Sequence, residues 1–134
     1  NCMALDHDET YLYVVRTTAA DVVRFRIDGD VLGPEERFGP TIAADGSRSF
    51  ADGCGFDALG NLWVTDVTCD RIVAVTPQRQ VVPVTIDSAG LVVAPTSVAW
   101  GGDDRRDIYI GSLGARYVLR GRSSVPGMAM VHQR

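Results

Sequence analysis

One strand phrase recurs three times along these 134 residues at nearly constant spacing. Its clearest copy is Ala51-Asp52-Gly53-Cys54-Gly55-Phe56-Asp57, followed by Gly60-Asn61-Leu62-Trp63-Val64-Thr65. The first copy runs Asn1-Cys2-Met3-Ala4-Leu5-Asp6, then Tyr11-Leu12-Tyr13-Val14-Val15. The third runs Thr96-Ser97-Val98-Ala99-Trp100-Gly101, then Asp107-Ile108-Tyr109-Ile110-Gly111. Leu12 and Leu62 are 50 residues apart, and Leu62 and Ile108 are 46 apart. Repeats of this period, built wholly from strands, mark the blades of a β-propeller. Three blades are fewer than a closed ring needs.

Helical periodicity is absent, Val, Ile and Thr are plentiful, and 14 glycines and six prolines punctuate the chain. Short strands between turn residues make it all-β, each repeat a four-stranded antiparallel blade. The blades span approximately residues 1–50, 51–94 and 95–134. In the second, strands are expected near residues 53–57, 61–66, 71–76 and 80–86. Residues 3–6, 53–57 and 97–100 are expected to be the innermost strands. Asp28-Gly29-Asp30 reads as a hairpin turn, because Asp-Gly readily takes positive φ. The second strand of each repeat is apolar on both faces, as Leu62, Trp63 and Val64 show. A half-exposed sheet would alternate, so each blade is expected to be sandwiched between neighbours. The polar stretch from Gly39 to Ala51 reads as a long loop into the second blade.

Composition excludes several function classes. A hydrophobic fraction of 46% with 22% charged residues supports a packed core and argues against disorder. The net charge of −4 has the wrong sign for a nucleic-acid binder. No apolar run is long enough for a membrane helix, and no basic-then-apolar leader opens the chain. The chain starts inside a strand phrase without an initiator Met, which leads us to expect missing upstream sequence. Three cysteines, few and odd in number and without C-x-x-C spacing, favour a reduced, cytoplasmic setting. Cys54 aligns with Met3 and Val98, so its expected job is to fill apolar space.

Three ordered passages carry a family resemblance. They are Asn1-Cys2-Met3-Ala4-Leu5-Asp6 with Tyr11-Leu12-Tyr13-Val14, Asp52-Gly53 through Gly60-Asn61-Leu62-Trp63-Val64, and Ala94-Pro95-Thr96-Ser97-Val98-Ala99-Trp100-Gly101-Gly102 with Ile108-Tyr109-Ile110. Together they resemble the C-terminal half of the senescence marker protein (regucalcin)/gluconolactonase family of six-bladed propellers. Cys2 stands where the family has Gly, and Trp100 where it has Phe. The resemblance implies one divalent cation at the mouth of the central channel, with Asn1 and Asp52 as two of its ligands. It also implies a further acidic ligand and substrate-binding residues in an N-terminal half that this chain lacks.

Physical chemistry supports that carry-over. Equivalent starts of the innermost strands, Asn1, Asp52 and Thr96, converge on the propeller axis. An amide oxygen and a carboxylate are hard donors suited to Ca²⁺, Mg²⁺ or Mn²⁺, with Zn²⁺ also accepted by carboxylate. Such a cation can polarise a lactone carbonyl, and Asp52 can take a proton from the attacking water as general base. Against this stands the default role of Asn and Asp at strand starts, which is to satisfy turn backbone.

Asp6 and Asp57 are read as hairpin residues, and Asp66, Thr68 and Asp70 as a solvated loop on the channel face. Trp63, Trp100 and Tyr109 are read as packing between blades. Gly111-Ser112-Leu113-Gly114 does not fit the G-x-S-x-G elbow, and His7 and His132 are isolated.

The expected function is therefore part of a metal-dependent lactonase that opens a sugar lactone, the isolated half-ring being inactive. The alternatives are a non-catalytic propeller scaffold and a strictosidine-synthase or paraoxonase-like propeller. A half-ring is expected to leave two apolar blade faces uncovered and to associate through them.

Overall fold

The computed structural model describes residues 1–43, 46–84 and 89–133. Residues 44–45 of the long loop, residues 85–86 of the expected fourth strand of the second blade, and the His132 side chain lie outside this description. Among the described residues, eleven strands form three antiparallel sheets in chain order. The first holds β1 (Met3–Leu5), β2 (Tyr11–Arg16), β3 (Asp21–Asp28) and β4 (Val31–Arg37). The second holds β5 (Ala51–Phe56), β6 (Leu62–Asp66), β7 (Arg71–Val75) and β8 (Val81–Val84). The third holds β9 (Pro95–Gly101), β10 (Asp107–Ser112) and β11 (Leu119–Arg122). Each sheet is a meander, and β5 lies beside both β1 and β9. These are three consecutive blades of a β-propeller with β1, β5 and β9 innermost. Gly29, at φ 60°, makes the β3–β4 hairpin turn that the sequence predicts.

A single packing rule joins the blades. Ala4 pairs with Tyr13, Gly55 with Trp63, and Ala99 with Tyr109, so the three aromatics are equivalent positions. Tyr13 and Trp63 each face the following blade. Tyr13 meets Phe56 edge to face at 5.0 Å between ring centroids, and Trp63 meets Trp100 the same way at 4.9 Å. Such pairs add about 0.5–1.5 kcal/mol beyond area burial. The partner inner-strand residues stay small because the neighbouring ring needs the room: a Cβ on Gly55 would come within 3.0 Å of Trp100. Among the described residues no further blade covers Tyr109, which is 38% exposed.

The buried side chains divide into two layers, one per seam. Tyr13, Val15, Val22, Phe56, Leu62 and Val64 fill the first, and Trp63, Ile72, Val98, Ile108 and Ile110 the second. This explains why β6, buried throughout, is apolar on both faces.

The structure corrects two expectations. The third sheet has three strands among the described residues, not four. After β11 the chain turns back toward the second blade, where Gly127 bridges to Asp57 and the Met128 N–H donates to the Phe56 carbonyl at 3.0 Å. Pro126 at this turn has no N–H to donate to a ladder, so it favours leaving the sheet. The uncovered faces also differ in character. On the outer face of the first sheet Met3 is 66% and Leu5 40% exposed. The corresponding face of the third sheet carries Tyr109, Ala99 and an ion-pair cluster in which Arg120 and Arg122 both bind Asp107. Only the first is an apolar surface.

Candidate metal centre

Asp52 lies in a β-bulge. Ala51 pairs with Asp66 and Cys54 with Val64, so Asp52 and Gly53 together oppose the single residue Thr65. Pro95 pairs with Ser112 and Ser97 with Gly111, leaving Thr96 as the extra residue of an equivalent bulge in β9. A bulge breaks the strict alternation of the strand and re-aims the side chain of the inserted residue. The Thr65 hydroxyl secures the Asp52 bulge by donating to the Gly53 carbonyl at 3.2 Å. Gly53 is required sterically: a Cβ there would lie 2.4 Å from the Thr96 carbonyl oxygen and 2.7 Å from the Ser97 Cα.

The Asp52 carboxylate is half-buried and makes no hydrogen bond or ion pair among the described residues. The Asn1 side chain is exposed and likewise unpartnered, while its ammonium donates to the Val15 carbonyl at 2.7 Å. Both segments meet at the first seam. Cys2, next to Asn1, accepts the Cys54 N–H on its sulfur at 3.0 Å, and the two sulfurs are 2.7 Å apart. Hydrogen bonding to the Cys54 thiol brings the Cys2 thiol down to about 6. The same contact and burial push the Cys54 thiol up. Cys54 is therefore not only apolar filling, as its alignment with Met3 and Val98 had indicated. The extra signal was the replacement of the family's Gly by Cys2.

Two free oxygen donors on adjacent inner-strand starts fit a hard divalent cation in kind, though not in number, since such ions take six or more oxygens. Among the described residues no cluster of three or more His, Cys, Asp or Glu side chains forms.

The other acidic residues singled out in the sequence, Asp6, Asp57, Asp66 and Asp70, have structural partners. Asp6 Oδ1 accepts the Thr10 and Tyr11 N–H groups at 2.8 and 3.1 Å. Asp57 accepts the Leu59 and Asn61 N–H groups, the Asn61 amide and the Trp63 indole, all at 2.8–2.9 Å. Asp66, fully buried, takes the Phe50 N–H and the Arg71 guanidinium. Asp70 accepts the Ala94 N–H at 2.6 Å. The Ser112 hydroxyl donates to the Val93 carbonyl and accepts two N–H groups at 3.0 Å, which leaves it no nucleophilic role. His7 is exposed and pairs with its neighbour Asp8.

A cavity of about 710 Å³ is walled by β1, β5, β9 and the returning C-terminal segment, with Met3, Cys54, Phe56, Val98, Trp100 and Met128 among its lining. Its lining includes Leu5, Gly101 and Gly102, at the far ends of β1 and β9. Asn1, Asp52 and Thr96 do not line it. The chemistry of the donors, not cavity size, identifies the candidate centre. Among the described residues no helix is long and apolar enough to cross a membrane.

Known proteins share this fold. The chain is 32% identical over 113 residues to a 6-deoxy-6-sulfogluconolactonase from Pseudomonas putida, covering 84% of this chain and 37% of that protein. It superposes on a luciferin-regenerating enzyme with a TM-score of 0.75 at 21% identity, over 96% of this chain and 47% of the other. A calcium-binding protein, regucalcin, from Agrobacterium tumefaciens gives 0.70 at 17% identity, over 96% and 46%. The chain thus spans well under two thirds of the length of the curated and structural relatives it matches, as three blades of a six-bladed ring would. Residues 1–114, which contain all three inner strands and both candidate ligands, match the SMP-30/gluconolactonase/LRE-like region, and the chain belongs to that family.

Proposed function

We propose that these blades are part of a metal-dependent lactonase that hydrolyses a sugar lactone. The observation that carries this reading is the bulge at Asp52–Gly53, which leaves a carboxylate without a partner among the described residues beside the segment bearing Asn1. The curated relative is named as a lactonase acting on a sulfonated gluconolactone, which supports the substrate class. The Agrobacterium relative is named as calcium-binding, which makes Ca²⁺ the first cation to test.

Asn1 and Asp52 would hold the cation through one amide and one carboxylate oxygen. When bound, a hard divalent ion supplies polarisation of the lactone carbonyl and acidity to a nearby water. Asp52 removes the proton as the water oxygen adds to the carbonyl carbon. The ring C–O bond then breaks, and the leaving alkoxide takes that proton back, giving the open hydroxy acid. The remaining ligands and the substrate-binding groups come from outside these three blades, so the isolated chain is inactive.

The test is Asp52→Ala in the full-length protein, assayed on gluconolactone and its 6-sulfo analogue with Ca²⁺, Mg²⁺, Mn²⁺ or Zn²⁺. Loss of a ligand and a base together lowers turnover by about 10³-fold or more. Wild-type turnover in that variant would leave the propeller as a binding scaffold.

A further inference from the structure

We propose that Cys2 and Cys54 form a redox-active dithiol that closes to a disulfide across the seam between the first two blades. The pairing follows from the fold. Residues at the Cys54 position face the preceding blade, as Val98 does in the third sheet, and Cys2 is the residue waiting there. The sulfurs are 2.7 Å apart, well inside the ordinary non-bonded separation of about 3.5–4 Å between heavy atoms. The Cys54 N–H holds the Cys2 sulfur in place at 3.0 Å. Both residues are only half-buried, so a small reagent can reach the pair. Cys69 is set apart, its sulfur against the Ser47 hydroxyl and the Arg48 carbonyl. The odd number of cysteines thus resolves into one pair and one bystander.

The oxidant is a low-molecular-weight disulfide such as oxidised glutathione. The Cys2 sulfur attacks one of its sulfurs, the small S–S bond breaks, and one small thiol leaves. The Cys54 sulfur then attacks the Cys2 sulfur of the mixed disulfide, the Cys2–Cys54 bond forms, and the second small thiol leaves. Two electrons pass from the cysteine pair to the small disulfide, and the two thiol protons end on the departing thiols. Because Cys2 follows Asn1 and Cys54 lies two residues past Asp52, the bond ties together the segments that carry both donors. That consequence rests on reading Asn1 and Asp52 as ligands; the disulfide does not.

The experiment oxidises the purified protein with oxidised glutathione, alkylates the remaining thiols, and maps the products by mass spectrometry without reduction. Cleavage after Arg leaves Cys2 within residues 1–16 and both Cys54 and Cys69 within residues 49–71, so a second cut at Trp63 is needed to separate those two. The expected product has lost two hydrogens, joins Cys2 to Cys54, and carries the alkyl group on Cys69. Dithiothreitol reverses it, and the oxidised form melts about 5–15 °C higher than the reduced one. In Cys54→Ser, Cys2 stops at the mixed disulfide with glutathione. Separate glutathione adducts on Cys2 and Cys54, a cross-link that includes Cys69, or alkylation of all three thiols would each overturn the proposal. Asp52→Ala retains both cysteines, so the cross-link forms in that variant whether or not turnover is lost, which separates failure of this inference from failure of the lactonase reading.

Discussion

The indole N–H of Trp63 donates to Asp57 Oδ2 at 2.9 Å, which places a carboxylate that is 1% exposed beneath the second seam. Asp57 thereby does two jobs: it closes the β5–β6 turn through three hydrogen bonds, and it holds the ring that meets Trp100 edge to face. Asp57→Ala strands a buried indole N–H and two turn N–H groups. We expect a loss of about 2–4 kcal/mol, read as a lower urea midpoint with unchanged slope. In the full-length protein this variant loses activity only in proportion to its unfolded fraction.

Gly53→Ala drives a methyl group into the Thr96 carbonyl and the Ser97 backbone, neither of which can rotate aside. β5 must shift from β9, at a cost of about 1–3 kcal/mol. The same shift displaces Asp52, so cation affinity should fall further than stability alone explains. Calorimetric titration of the folded variant with Ca²⁺ measures this.

Asn1→Ala in the full-length protein removes one neutral oxygen donor and leaves the base. Turnover should fall at low cation and recover in part as cation is raised, whereas Asp52→Ala should not recover at any concentration. Rate against cation concentration distinguishes the two. Equal behaviour of both variants would argue against distinct roles for the two residues.

Acid should destabilise the fold through its ion pairs. The Arg16 guanidinium holds the Asp21 carboxyl below its ordinary value of 3.8, and Arg122 with Arg120 does the same for Asp107. A carboxyl depressed in the folded state contributes stability fully above its unfolded value and loses it as pH falls through the folded value. Urea midpoints should therefore be level near neutrality and decline from about pH 4 downward. Asp21→Asn should flatten part of that decline and lower the plateau above it.

Much of this architecture was legible in the residues. Strand and turn positions depend on near neighbours: the short two-sided apolar run Leu62-Trp63-Val64, and Asp-Gly chemistry at Asp28-Gly29. The repeat itself set Tyr13, Trp63 and Tyr109 in equivalent places. The candidate donors Asn1 and Asp52 came from the family resemblance joined to that alignment. Their types suit a hard cation, yet a single chain's letters do not say which donors lack a protein partner. That required seeing Asp6, Asp57, Asp66 and Asp70 already engaged by backbone, Trp63 or Arg71.

The amino-acid sequence by itself determined an all-β chain of three repeated units with a polar residue opening each of the three inner strands. Tertiary structure alone decided the bulge at Asp52, because register belongs to a pair of strands and Thr65 is 13 residues downstream. It alone brought Cys2 onto Cys54 across 52 positions, and sent the segment after Pro126 back to β5 in place of a fourth strand. It also made one open face apolar and the other ionic. The division follows from range. Local steric and turn preferences are written between adjacent residues, whereas contacts between blades exist only once separate sheets have docked, and docking is a property of whole surfaces.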